Sequence, residues 1–133
     1  MTMEISFPGN KKVVSQYKGF SIETDQPKEE GGDGSAPEPF DLFLSSMGTC
    51  AGIYVIYFCE ERNIDTTGMK MSLSFDRNEQ THLVKTVHIH ISLPPGFPKK
   101  YRSAVEKTAG LCTVKRNILN PPRFAVSAQI QAG

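Results

Sequence analysis

Apolar and polar positions alternate along the first part of the chain. Residues 3–7 alternate, Pro8-Gly9-Asn10 turns the chain, and Lys12 to Tyr17 and Phe20 to Thr24 follow as short strands parted by Lys18-Gly19. This predicts a small antiparallel meander. A loop rich in glycine, proline and acid follows from Asp25 to Pro39, longer than most connections in a compact domain, as functional loops often are. From Phe40 or Asp41 to about Asn63 the pattern turns helical, with Pro39 at the start and Asp41 placing negative charge in the first turn. Leu42, Phe43, Leu44, Met47, Ala51, Ile53, Val55, Ile56 and Phe58 make that helix apolar on most of its circumference. Such a helix is a buried one, and a single small domain struggles to cover it, so a partner subunit is expected to contribute.

Period-two alternation returns from Met69 to Phe75 and from Leu83 to Leu93, with Asp76-Arg77-Asn78-Glu79 as the hairpin between them. A second helix is expected over Pro98 to Ala109 with Gly110 as its cap, then a short one over Thr113 to Leu119, and Phe124 to Ile130 reads as a closing strand. The class is α/β in the mixed, α+β sense, with antiparallel sheet beside a long helix. A chain of 133 residues suits one domain, 1–133, and has core enough without a metal or disulfide staple.

A formal charge of +1 gives no electrostatic footprint for nucleic acid. The N-terminal residues lack a basic region leading into an apolar run, so no signal peptide is expected. Asp41 to Tyr57, interrupted by Ser45, Ser46, Gly48, Thr49 and Gly52, falls short of the roughly 20 apolar residues of a membrane span. Three cysteines cannot all pair within one chain, which points away from a secreted disulfide scaffold and toward a reducing, cytoplasmic setting.

Those cysteines are the most informative chemistry. Cys50 lies mid-helix among Ser45, Ser46, Gly48, Thr49, Ala51 and Gly52, small residues that admit either a close-packed backbone or a ligand over the thiol. It reads equally as a reactive thiol or a small core residue. Cys59, nine residues on, faces the opposite side of the helix and reads as core. Cys112 falls between a helix end and a possible helix start, with Lys115 and Arg116 within a turn, where unpaired backbone N–H groups favour a thiolate. No cysteine or histidine pair has metal-ligand spacing, and His88 and His90 share one solvated strand face. Gly31-Gly32-Asp33-Gly34 lacks the residues and the strand–glycine–helix order of a nucleotide fingerprint.

The run from Thr24-Asp-Gln-Pro27 through Gly31-Gly32-Asp33-Gly34 and Pro39-Phe-Asp41-Leu42 to Gly48-Thr-Cys50 resembles the OsmC/Ohr family, and so does Glu106-Lys-Thr-Ala-Gly-Leu-Cys112-Thr-Val114. The order of elements matches over essentially the whole chain. The resemblance implies an OsmC-like fold, an antiparallel sheet packed on a long central helix in an intertwined homodimer. It implies that Cys50 attacks a small organic hydroperoxide, that Cys112 resolves the product, and that Asp41 orients the site's polar network. A dithiol from outside, lipoylated protein or small molecule, would restore both thiols, with no bound cofactor. The alternative is a non-enzymatic redox sensor or a small-ligand-binding dimer. An apolar pocket drawn from Leu42, Phe43, Met47 or Tyr54 would suit organic peroxides. Two departures stand out: the arginine the family supplies upstream of the central helix is absent, Arg62 being the first and Lys28 a conceivable substitute, and Thr113 replaces the usual proline after the second cysteine.

Overall fold

A computed structural model describes all 133 residues, in the element order β-β-β-α-β-β-α-α. The chain divides into two compact units, Met1–Ser46 and Met47–Gly133. Antiparallel sheets and a long central helix make up the fold.

The first unit holds the predicted meander. β1 (Glu4–Gly9), β2 (Lys12–Tyr17) and β3 (Phe20–Thr24) pair in that order, antiparallel throughout. Lys18 and Gly19 both have positive φ, 52° and 80°, the conformation that lets a two-residue turn follow the twist of its strands. The long loop is folded back on the meander by polar ties. The fully buried Asp25 accepts hydrogen bonds from the Ser35 hydroxyl (2.6 Å), the Ser35 N–H (3.0 Å) and the Gln26 N–H (2.7 Å). Its own N–H donates to Pro37 O. Lys12 forms an ion pair with Asp33, and Asn10 Nδ2 donates to Gly31 O at 3.0 Å. The carboxyl of Asp25 is held down at about 2, chiefly by the two Ser35 donors, and Lys12 is raised by its bond to Asp33.

The central helix α1 (Pro39–Glu61) starts as the sequence indicates and is a full 23 residues. By length and composition it could cross a bilayer, contrary to the expectation that the segment falls short. From Ala51 on, however, one face is core: Ala51, Val55, Phe58 and Cys59 are buried with Val105 and Ala109.

In the second unit β4 (Lys70–Arg77) and β5 (Val84–Ser92) form an antiparallel hairpin. Its turn lies later than expected: Asp76 and Arg77 belong to β4, and Asn78 Oδ1 accepts the N–H groups of Gln80 and Thr81 to close a wider loop. The second predicted helix begins as a 3₁₀ turn, Lys99–Tyr101, and continues as α2 (Arg102–Ala109), followed by α3 (Thr113–Leu119).

The predicted strand over 124–130 is absent; residues 120–133 carry no regular structure. Phe124, Val126 and Ile130 are 87%, 93% and 99% exposed. Alternation marks a segment able to form a strand, but the ladder bonds come from a neighbouring edge, and within this chain the segment has none.

Candidate functional site

Gly48 and Gly52 of α1 face β4. A Cβ on Gly48 would meet Leu73 Cδ1 at 3.7 Å, and one on Gly52 would meet Met71 Sδ at 3.8 Å. Both distances are ordinary van der Waals contact, so a methyl group would fit at either position and the sheet does not require glycine there. Cys50 is turned about 200° from Gly48 around the helix axis, away from β4, and is half-buried. Ile53, Ile56 and Tyr57 are exposed on the following turns, so much of the side of α1 away from the core is uncovered apolar surface.

Cys59 occupies the opposite side, fully buried. Burial raises its thiol above the ordinary value, with Arg62 pulling slightly the other way. Arg62 itself closes the helix end: Nη1 donates to Phe58 O at 3.0 Å and the guanidinium lies 3.7 Å from the centre of the Phe58 ring. It is committed there.

Cys112 is the N-cap of α3. Its Sγ accepts the Lys115 N–H at 3.4 Å, and only 2% of the residue is exposed. It forms part of the wall of a cavity of about 740 Å³ bounded by β5, α2 and α3. Val87, Ile89 and Ile91 of β5 and Val105 and Ala109 of α2 give that cavity its apolar lining, while Lys85, Lys115 and the pair Arg102–Glu106, 3.8 Å apart, set charge of both signs around it. The space can take the hydrocarbon part of a small organic molecule. Of the residues expected to line such a pocket, Met47 does; Leu42, Phe43 and Tyr54 do not, and neither does Cys50.

Tyr54 does something else, which sequence reasoning missed. One turn beyond Cys50, its hydroxyl lies 2.8 Å from Thr113 Oγ1 and accepts from Arg116 Nη2 at 2.8 Å. Arg116 Nη2 also donates to Thr113 Oγ1 at 3.3 Å. The turn of α1 that follows Cys50 is therefore bonded to the residue that follows Cys112. All three cysteines are free thiols, and no two of them lie within disulfide distance, so the structure does not bring Cys50 and Cys112 together as a bonded pair. Asp41, in the first unit, reaches back to accept the Glu38 N–H at 2.9 Å, satisfying one of the unpaired donors at the start of α1. His88 pairs with Asp76 at 2.8 Å across the β4–β5 hairpin.

Comparison with known proteins places this arrangement. The profile of the OsmC-like protein family matches residues 32–127, and the chain belongs to that family. A Psychrobacter arcticus protein named for osmotic stress and detoxification response superposes with a TM-score of 0.76 at 23% identity, over 88% of this chain and 87% of its own. An OsmC-like protein from Mycoplasma pneumoniae gives 0.69 at 12% identity over 91% and 89%. An organic hydroperoxide resistance protein from Elizabethkingia anophelis gives 0.62 at 16% over 91% and 90%. At such identities the likeness is one of fold. None of the curated proteins compared with the chain matches it.

Proposed function

We propose that the protein is a thiol peroxidase that reduces small organic hydroperoxides to alcohols. Cys50 attacks the distal oxygen of the peroxide, the O–O bond breaks, the alcohol leaves, and the sulfur becomes a sulfenic acid. Cys112 then displaces the hydroxyl from Cys50 to give a disulfide and water, and an external dithiol of lipoyl type restores both thiols by exchange. The observation that carries this reading is the bond between Tyr54 and Thr113, which ties the turn after Cys50 to the turn of Cys112. Membership of the OsmC-like family supports it, as do the half-buried Cys50 and the apolar cavity beside Cys112. Asp41, as a cap of α1, would contribute by fixing the start of the helix that carries Cys50.

A homodimer belongs to the same proposal. The uncovered apolar side chains of α1 and the unpaired segment 124–130 are surfaces that a second copy would cover. The 740 Å³ cavity also favours a second reading, a small-ligand-binding protein with little turnover.

The two are separated by giving reduced protein cumene hydroperoxide with dihydrolipoamide as reductant. Peroxide loss that is catalytic in wild type and abolished in Cys50→Ser supports the peroxidase. Equal loss in both proteins would refute it.

A further inference from the structure

The second step of the proposed reaction is a race. Once Cys50 is a sulfenic acid, either Cys112 reaches it or a second hydroperoxide does. In the first course the Cys112 sulfur attacks the Cys50 sulfur, the S–S bond forms and the S–O bond breaks. The departing hydroxide takes the Cys112 proton as water, and the two-electron oxidation is kept in the disulfide. In the second the Cys50 sulfenate attacks the peroxide O–O bond, becoming a sulfinate and releasing another alcohol, which a dithiol does not reverse.

Tyr54, Thr113 and Arg116 stand where that race is decided. Tyr54 follows Cys50 by four residues and so shares its stripe of α1, and a helical side chain leans back over the turn before it. The Tyr54 hydroxyl, the Thr113 hydroxyl and Arg116 Nη2 are bonded each to each, at 2.8, 2.8 and 3.3 Å. Thr113 directly follows Cys112 and opens α3. Behind it, Thr113 O accepts from Asn117 Nδ2 at 2.9 Å and Cys112 Sγ accepts the Lys115 N–H, so both residues are tied into the first turn of α3. The core closes with Ala51, Val55, Phe58, Val105 and Ala109 and contains none of the triad, of which Thr113 and Arg116 are exposed and Tyr54 half-buried.

We infer that Tyr54, Thr113 and Arg116 are positioning residues for the resolving step, holding the Cys112 turn against the Cys50 turn so that the disulfide forms before overoxidation. The inference rests on the peroxidase reading.

The test uses full-length reduced protein given a few equivalents of cumene hydroperoxide, quenched with N-ethylmaleimide, with disulfide and Cys50 sulfinate counted by mass spectrometry. Tyr54→Phe and Arg116→Met each remove two bonds of the triad, and loss of the charge-assisted Arg116–Tyr54 bond common to both should alone shift the disulfide-to-sulfinate ratio about tenfold toward sulfinate. Thr113→Val should act in the same direction, and Arg116→Lys, which keeps a donor, should recover most of the wild-type ratio. A merely structural role would not produce that recovery. Dimedone trapping in a Cys112→Ser background reads the first step alone. Ratios within twofold of wild type in both Tyr54→Phe and Arg116→Met, or an Arg116→Lys ratio no better than Arg116→Met, overturn the inference and leave the peroxidase standing. Failure of dimedone to trap Cys50 overturns the peroxidase reading, and the inference falls with it.

Discussion

Gly32→Ala is the sharpest probe of the loop that precedes α1. A methyl group there would lie 2.0 Å from the carbonyl oxygen of Gln26, 2.5 Å from its carbon and 2.8 Å from its Cα. The first is roughly 1 Å or more inside ordinary van der Waals separation, and the obstacle is backbone. Gln26 cannot retreat freely, because its N–H donates to the buried Asp25 and its carbonyl accepts the Gly34 N–H at 3.0 Å. Overpacking costs about 1–3 kcal/mol and a lost backbone bond about 1 kcal/mol more, so the substitution should destabilise by about 2–4 kcal/mol. For a chain this size that is a fall in Tm of about 10 °C, measured by thermal unfolding at fixed protein concentration. Gly34→Ala is the control. Its φ of +64° makes alanine strained, but its Cβ would find nothing nearer than Lys28 Cγ at 4.0 Å, so only the left-handed cost of about 1–2 kcal/mol applies. A Gly32→Ala protein within about 2 °C of wild type, or one no less stable than Gly34→Ala, would refute the packing argument.

The buried carboxylate of Asp25 titrates near 2 when folded and near 3.8 otherwise, so the unfolded chain takes up its proton first. Its stabilising contribution is complete above pH 4 and is lost as pH falls from there toward 2; urea midpoints of wild type and Asp25→Asn should converge over that window, and a constant gap would contradict the assignment. Val105, fully buried among Ala51, Val55 and Phe58, should cost about 2 kcal/mol on truncation to alanine, read from urea unfolding. Under native conditions iodoacetamide should modify Cys50 well before Cys59, whose thiol is raised by burial; equal rates by mass spectrometry would show the burial is wrong. If a second copy covers the tail, Val126→Asp with Ile130→Asp should lower the sedimentation coefficient toward that of a monomer, and unchanged sedimentation would remove the tail from the interface.

Elements whose residues report on their own surroundings were legible from the sequence. The meander, α1 and the β4–β5 hairpin follow from alternation and helical periodicity, and the nine-residue offset between Cys50 and Cys59 puts the two thiols on opposite sides of α1, Cys59 on the buried one. Phe124 to Ile130 shows the limit: the alternation is there, but whether a strand forms depends on an edge the segment's own residues do not encode. The hairpin turn moved because Asn78 supplies a side-chain bond that extends the loop. At the candidate site, Cys50, Cys112 and Asp41 could be picked out by residue type and position. The Tyr54 triad could not, since its members lie 59 and 62 residues apart and nothing local in either segment names the other. The burial of Asp25 is hidden for a related reason: it depends on Ser35, ten residues on, folding over the carboxylate.

Placing two sulfurs on opposite flanks of one helix divides their fates. The helix backbone stands between Cys50 and Cys59 as a partition, so an electrophile or a dye admitted to one flank has no short path to the other. A single native chain therefore offers one addressable sulfur and one silent sulfur on the same rod, and a probe attached at position 50 would report from outside the core without disturbing its interior.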